Sequence, residues 1–160
     1  MRLDAMYQEI ILDHYRNPHN KGLRDPYNGE AHHINPTCGD EVTLRVTLTP
    51  PDGRELDGSA VVSDVSYDSM GCSISQASAS VLTDLLIGKT VDEGMRTLDA
   101  FNELMHSKGQ GEPDEDVLED AVAFAGVSQY PARIKCALLA WMAWKDATAQ
   151  SLDKEKEGAS

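Results

Sequence analysis

Alternating apolar and polar residues in the first half of the chain predict β-strands. In the clearest run, residues 42–48, every second residue is Val or Leu and the residues between them are polar, as in a strand with one buried face. Pro50-Pro51-Asp52-Gly53 predicts a turn after this run. A second strand is expected over residues 60–67, and the two strands are expected to pair in an antiparallel sheet.

Apolar residues at helical spacing predict helices on both sides of these strands. The first helix covers the N-terminal residues and ends at Asn17-Pro18, and a second helix spans residues 73–87. Thr90 and Glu93 have the spacing of a capping box, which predicts the start of a third helix that ends near His106.

Two further helices are expected in the last third of the chain. A short one covers residues 115–125, and a final one covers residues 132–149 with Pro131 in its first turn. Residues 19–37 are rich in Asn, Gly and Pro and indicate an irregular loop. Residues 107–116 combine Gly, Pro and acidic residues and indicate a mobile insert.

Together these elements predict an α+β fold, a small antiparallel sheet with helices packed on one face. A chain of 160 residues is expected to form one domain over residues 1–150, and the charged tail over residues 151–160 is expected to be disordered. No apolar run is long enough to span a bilayer, and charged residues interrupt the N-terminal apolar runs. We therefore expect a cytoplasmic protein with no membrane segment.

The formal net charge of −13 argues against nucleic acid as a partner, because phosphate binding needs a basic surface. The charge is compatible with a basic protein partner or with solubility alone. No nucleotide-binding glycine motif is present, and no Ser-His-Asp pattern has local support. Composition thus excludes some classes of function without selecting one.

Three cysteines, Cys38, Cys72 and Cys136, lie far apart in the sequence, and Asp40 follows the first by two residues. Three thiolates and one carboxylate would complete a tetrahedral zinc shell. Because three cysteines cannot all pair within one chain, metal binding, catalysis and plain burial are the alternatives. Cys38 lies in a Pro/Gly loop, and the other two lie near predicted helix starts, where the helix dipole favours thiolate.

The histidines are less informative than the cysteines. His32 and His33 could ligate a metal or be solvated in the early loop. His14, near the end of the first helix, could complement the helix dipole.

The cysteines lie in three motifs, Asn35-Pro36-Thr37-Cys38-Gly39-Asp40, Gly71-Cys72-Ser73-Ile74-Ser75 and Arg133-Ile134-Lys135-Cys136-Ala137. In this order they resemble the three cysteine motifs of the IscU/NifU-N-like iron–sulfur cluster assembly proteins. The N-terminal helix and the strand after Cys38 also match, so the resemblance covers roughly residues 4 to 148.

Two departures from the scaffold-type IscU pattern point to the SufU branch of this family. Lys135 stands where the scaffold type has a histidine before its third cysteine. Tyr130-Pro131-Ala132-Arg133 stands where the scaffold type has a chaperone-recognition motif. The segment between Cys72 and Cys136 is also longer than in the scaffold type. The chain is therefore identified as a SufU-type member, in the zinc-dependent sulfur-transfer branch.

The resemblance implies a zinc-dependent sulfurtransferase, a sulfur carrier for iron–sulfur cluster assembly. It implies that Cys38, Asp40, Cys72 and Cys136 hold zinc and that Cys38 accepts the sulfur. The implied donor is a SufS-type cysteine desulfurase, a pyridoxal-phosphate enzyme that forms a persulfide and whose histidine would replace Cys38 on the metal. The implied recipient is a SufBCD-like assembly complex.

Two alternatives stay open at this point. One is an assembly scaffold, with iron or an iron–sulfur cluster in place of zinc, and the other is a structural zinc domain with no transfer chemistry. The loop position of Cys38 favours transfer over a structural site, because structural sites close all their ligands away. Arg133 or Lys135 could steady the thiolate, accept a carboxylate from a partner, or simply lie in solvent.

Overall fold

The computed structural model of the chain describes residues 2–36, 39–51, 56–108 and 114–159. Cys38 lies outside the described residues. In chain order the elements are α1 (Arg2–Arg16), β1 (Gly29–Asn35), β2 (Asp40–Thr49), β3 (Val61–Met70), α2 (Ser73–Leu86), α3 (Val91–Met105), α4 (Glu115–Leu118), a 3₁₀ segment (Glu119–Gln129) and α5 (Pro131–Ala159).

The three strands form an antiparallel sheet in the order β1-β2-β3. Strands β2 and β3 confirm the two strands predicted from the alternating pattern. In the register, Asn35 pairs with Asp40 at one end of the β1–β2 hairpin. Glu41 lies between Ile34 on one side and Met70 on the other. The ends of all three strands that lead to the cysteine motifs therefore meet at one edge of the molecule.

Strand β1 lies in the segment predicted to be an irregular loop, so that prediction is wrong for residues 29–35. The buried residues of β1 are Gly29, Ala31 and Asn35, which are too small or too polar to show an apolar alternation. Gly29 lies directly against α5, where an added Cβ would overlap the carbonyl oxygen of Ala147. The close approach of helix and strand explains both the small residues and the missing sequence signal.

The core lies between the inner face of the sheet and the helices α2 and α5, as the predicted α+β fold requires. Trp141 and Trp144 of α5 are fully buried. The ring of Phe101 stacks on Trp141, with centroids 4.3 Å apart and an angle of 9° between the planes. These large side chains pack α5 against α2 and α3, which helps to position Cys136 near the start of α5.

The predicted helices α1, α2 and α3 are confirmed, and α3 begins with the predicted capping box of Thr90 and Glu93. The short helix expected over residues 115–125 is instead one turn of α4 followed by the 3₁₀ segment. Glu119, at the junction, has a positive φ of 45°, which an α-helix cannot accommodate.

Helix α5 continues from the predicted end near residue 149 to Ala159, through most of the segment expected to be a disordered tail. The residues from Leu152 to Glu157 are mainly Lys, Glu and Leu, which favour helix. Among the described residues, no helix is long and apolar enough to cross a membrane.

Candidate metal centre

Asp40, Cys72 and Cys136 bring their side chains together although they come from different elements. Asp40 begins β2, Cys72 immediately precedes α2, and Cys136 lies one turn into α5. One carboxylate oxygen and the two sulfur atoms lie within 4.8 Å of one another. Ligands of one tetrahedral zinc ion are separated by about 3.3–3.8 Å, so small movements would bring these three atoms onto one ion.

Asp40 is fully buried, and its carboxylate has a partner on each oxygen. Oδ1 accepts a hydrogen bond from the backbone N–H of Cys72 at 2.9 Å, and Oδ2 lies 3.8 Å from Cys72 Sγ. Gly71 makes this contact possible, because a Cβ at that position would overlap Asp40 Oδ1. Its φ of +141° also belongs to the region that favours glycine.

Cys72 is the N-cap residue of α2, with extended backbone angles of −71° and 166°. Ser75 Oγ donates to the carbonyl oxygen of Cys72 at 3.1 Å and lies 3.9 Å from its sulfur. A sulfur at this position is close to the positive end of the helix dipole, which stabilises a thiolate. The predicted setting of Cys72, a turn before a helix, is confirmed.

Cys136 is fully buried and is held by contacts from two directions. Asn35 Nδ2, at the end of β1, donates to Cys136 Sγ at 3.9 Å. The next residue, Ala137, accepts a hydrogen bond from Ser78 Oγ of α2 at 2.6 Å, and Ser78 Oγ in turn accepts from Trp141 Nε1 at 2.9 Å. This buried chain of hydrogen bonds fixes the helix of Cys136 relative to the helix of Cys72.

Arg133 supplies a positive charge beside the two sulfur atoms. The thiolates of Cys72 and, to a smaller extent, Cys136 raise the pKa of the Arg133 guanidinium. Arg133 is exposed and lines a groove of about 550 Å³ together with Cys72, Ile11 and Tyr130. Of the roles considered for Arg133, steadying a thiolate agrees with this position.

Exposed apolar side chains lie around this end of the molecule. Ile34 is 57% exposed, Met70 is 65% exposed and Tyr130 is 62% exposed. Ile34 and Met70 lie on either side of Glu41 on the outer face of the sheet, and Tyr130 lines the groove. We call Ile34, Met70 and Tyr130 the apolar rim.

The chain that carries this centre matches a known domain family. The model of the NifU-like N-terminal domain matches residues 6–137. The chain belongs to the NifU-like N-terminal domain family. The predicted family resemblance is thus confirmed.

Relatives of this NifU-like domain match it over most of its length. It is 40% identical to the zinc-dependent sulfurtransferase SufU of Bacillus subtilis over 150 residues, and this match covers 92% of each chain. It is 36% identical to the iron–sulfur cluster assembly scaffold protein IscU of Streptococcus pyogenes, over 96% of this chain and 89% of that one. A solved candidate scaffold protein for the SUF system from Fervidobacterium islandicum superposes with a TM-score of 0.71 at 33% identity, over 88% of this chain and 94% of that one.

The histidines proposed as possible metal ligands lie elsewhere in this NifU-like domain. His32 and His33 are on β1 rather than in a loop. His32 Nδ1 lies 2.7 Å from Thr43 Oγ1, and His33 Nε2 lies 3.0 Å from Asp146 Oδ2. Neither belongs to the described cluster of Asp40 and the two cysteines.

Sequence reasoning missed three residues that shape the centre of this NifU-like domain. Asn35 contacts Cys136, Gly71 makes room for the carboxylate of Asp40, and Ser78 connects the two helices. Asn35 and Gly71 lie within the cysteine motifs, and this position could have pointed to their role. Ser78 looks like any small residue on a buried helix face, so only the packing of α2 on α5 shows its role.

Proposed function

We propose that the chain is a zinc-dependent sulfurtransferase that accepts persulfide sulfur from a SufS-type cysteine desulfurase and relays it to a SufBCD-like complex for iron–sulfur cluster assembly. The observation that carries this proposal is the cluster of Asp40, Cys72 and Cys136. Asp40 is separated from Cys38 by a single residue. The similarity to the zinc-dependent sulfurtransferase SufU supports the same function.

The donor set suits zinc. Two sulfur atoms and a buried carboxylate meet within 4.8 Å, and thiolates with a carboxylate are ligands that zinc takes in tetrahedral sites. Cys38 is the proposed fourth ligand. Only one residue separates it from Asp40, so the Cα atoms of the two residues are at most about 7 Å apart. Bound zinc would keep its cysteine ligands deprotonated at neutral pH.

The transfer step needs Cys38 as a nucleophile. Its thiolate attacks the outer sulfur of the partner's persulfide, so that a new S–S bond forms on Cys38 and the S–S bond of the partner breaks. The partner's cysteine leaves as a thiolate, and the transferred sulfur keeps its proton. The exchange has no net oxidation or reduction and resembles thiol–disulfide exchange.

Arg133 and the apolar rim support this step physically. The guanidinium of Arg133 lies beside Cys72 and Cys136, where its charge offsets the negative charge that moves between sulfur atoms. The exposed side chains of Ile34, Met70 and Tyr130 can be covered by a partner, which would exclude water from the reacting sulfur.

Labelled sulfur tests the proposal directly. The chain is incubated with a cysteine desulfurase and labelled cysteine, and the mass of the peptide that contains Cys38 is measured. We expect one added sulfur on Cys38 in the parent. We expect no stimulation of the desulfurase by Cys38→Ala, whose circular dichroism stays like that of the parent. A Cys38→Ala variant that stimulates turnover as the parent does would show that Cys38 is not the acceptor.

A second candidate function is a scaffold on which a cluster is assembled. The 36% identity to the scaffold protein IscU over 96% of this chain favours it, and the same side chains would hold the cluster. Reconstitution with iron and sulfide separates the two candidates. A scaffold would give a stable brown protein that passes its cluster to an apo-protein, whereas a sulfur carrier would stay colourless and retain about one zinc.

A further inference from the structure

A second group of side chains that could hold a metal ion lies beside α2, away from the cysteines. His14 lies in the last turn of α1, His19 follows in the next loop, and Asp84 lies on α2. One ring nitrogen of each histidine and one carboxylate oxygen of Asp84 lie within 4.8 Å of one another. Asp84 is twelve residues after Cys72, which corresponds to about 18 Å along the helix. The two groups are therefore separate sites.

His14 is oriented as metal-binding histidines are. It is 3% exposed, and its Nδ1 lies 2.8 Å from Ser80 Oγ. When Nδ1–H donates to this hydroxyl, Nε2 carries the lone pair and is available for an ion. Ligating histidines almost always donate their second ring N–H in this way, which fixes the tautomer and the ring orientation.

Asp120, in the 3₁₀ segment, pairs with His14 but is not one of the three donors that lie within 4.8 Å of one another. Its Oδ2 lies 3.0 Å from His14 Nε2, the nitrogen that Ser80 leaves available. In the absence of an ion, Nε2 needs a proton to donate to this carboxylate. An ion at this position would therefore replace a proton, as metal binding to histidine commonly does.

His19 and Asp84 complete the group from the solvent side. His19 Nδ1 lies 2.5 Å from Asp84 Oδ2, and the backbone N–H of His19 donates to Ser80 Oγ at 2.8 Å. Their side chains are 46% and 44% exposed, so an ion can reach them. The backbone hydrogen bond fixes the loop that carries His19 against α2, which keeps its ring 4.8 Å from that of His14.

We infer that His14, His19 and Asp84 bind one divalent transition-metal ion, separately from the cysteine centre. Two imidazoles and a carboxylate suit first-row ions such as Fe²⁺, Co²⁺ and Zn²⁺.

Cobalt is the probe, because its absorption spectrum distinguishes the two sites. The protein is first given one equivalent of Zn²⁺ to occupy the thiolates and is then titrated with Co²⁺. We expect one bound Co²⁺ with ligand-field bands and without the intense sulfur-to-cobalt charge-transfer band. We also expect protons to be released into weakly buffered solution. No binding of Co²⁺ after zinc loading, or a charge-transfer band as its only signal, would overturn the inference.

Variants assign the ligands. In His19→Asn and Asp84→Asn we expect the affinity for Co²⁺ to fall at least about 100-fold, more than the roughly 10–100-fold typical for loss of an outer-shell partner. The matched control is His33→Asn, since His33 also pairs with a carboxylate, that of Asp146, but belongs to no three-donor group among the described residues. Equal Co²⁺ affinity in all three variants and the parent would show that the group is structural only.

Discussion

Replacing Gly71 by alanine tests how the fold holds Asp40 beside Cys72. Two separate features of Gly71 oppose a side chain. The φ of +141° is unfavourable for any residue with a Cβ, and the added Cβ would overlap Asp40 Oδ1. That same oxygen accepts the backbone N–H of Cys72, so Gly71→Ala should shift the carboxylate that belongs to the proposed metal centre.

The backbone conformation and the overlap with Asp40 each have a free-energy cost, and a control variant separates the two costs. A non-glycine residue in such a backbone conformation costs about 1–3 kcal/mol. Loss of a hydrogen bond to a charged carboxylate costs about 1.5–3 kcal/mol more. Gly22 has a similar φ of +113°, and an added Cβ there would meet no atom within 4 Å. Gly22→Ala should therefore show only the backbone cost.

Urea denaturation and zinc competition with a chelator measure both effects. We expect Gly71→Ala to lower the free energy of unfolding by roughly 2.5–6 kcal/mol, against about 1–3 kcal/mol for Gly22→Ala, with unchanged m values. Zinc affinity should fall in Gly71→Ala and stay at the parent value in Gly22→Ala. Equal destabilisation of the two variants, with equal zinc affinity, would refute the role of Gly71 in positioning Asp40.

Three further predictions concern the core and the apolar rim. Ser78→Ala leaves Trp141 Nε1–H without its acceptor and should lower the free energy of unfolding by about 1–3 kcal/mol; an unchanged urea midpoint would contradict this. Burial raises the pKa of Tyr67 to about 12, whereas the unfolded tyrosine ionises near 10, so the parent should lose up to about 2–3 kcal/mol between pH 10 and 12. Tyr67→Phe should remove that part of the pH dependence. Met70→Asp should raise the KM of the desulfurase reaction at least about tenfold with unchanged kcat and zinc content; an unchanged KM would place the partner elsewhere.

The sequence predicted those elements whose buried faces carry large apolar side chains. Strand β2 alternates Val and Leu with polar residues, and α3 begins with the capping box of Thr90 and Glu93, so both patterns are visible without tertiary information. Strand β1 could not be found this way. Its inner face is built from small residues because α5 approaches it closely at Gly29. The distance between this helix and the strand is a tertiary feature that the local sequence pattern does not show.

The residues of the candidate site also fall into those that the sequence predicted and those that only the structure places. Chemistry and spacing pointed to Asp40, Cys72 and Cys136, and the structure brings these three together. Cys38 stays a prediction, because it lies outside the described residues. The role of Arg133 could not be chosen from the sequence, since a basic residue near a helix start is equally suited to solvent. Its position beside both sulfur atoms depends on how α5 packs against α2.

The carboxylate of Asp40 has a consequence for the order of folding and metal uptake. Its Oδ1 accepts a hydrogen bond from the backbone N–H of Cys72, so we expect the protein itself to hold this carboxylate in place. We therefore predict that the chain differs from zinc fingers, which are unfolded without metal. A molecule synthesised when zinc is scarce would reach its native shape first and acquire the ion afterwards. The far-ultraviolet circular dichroism of the zinc-free protein should then match that of the loaded protein.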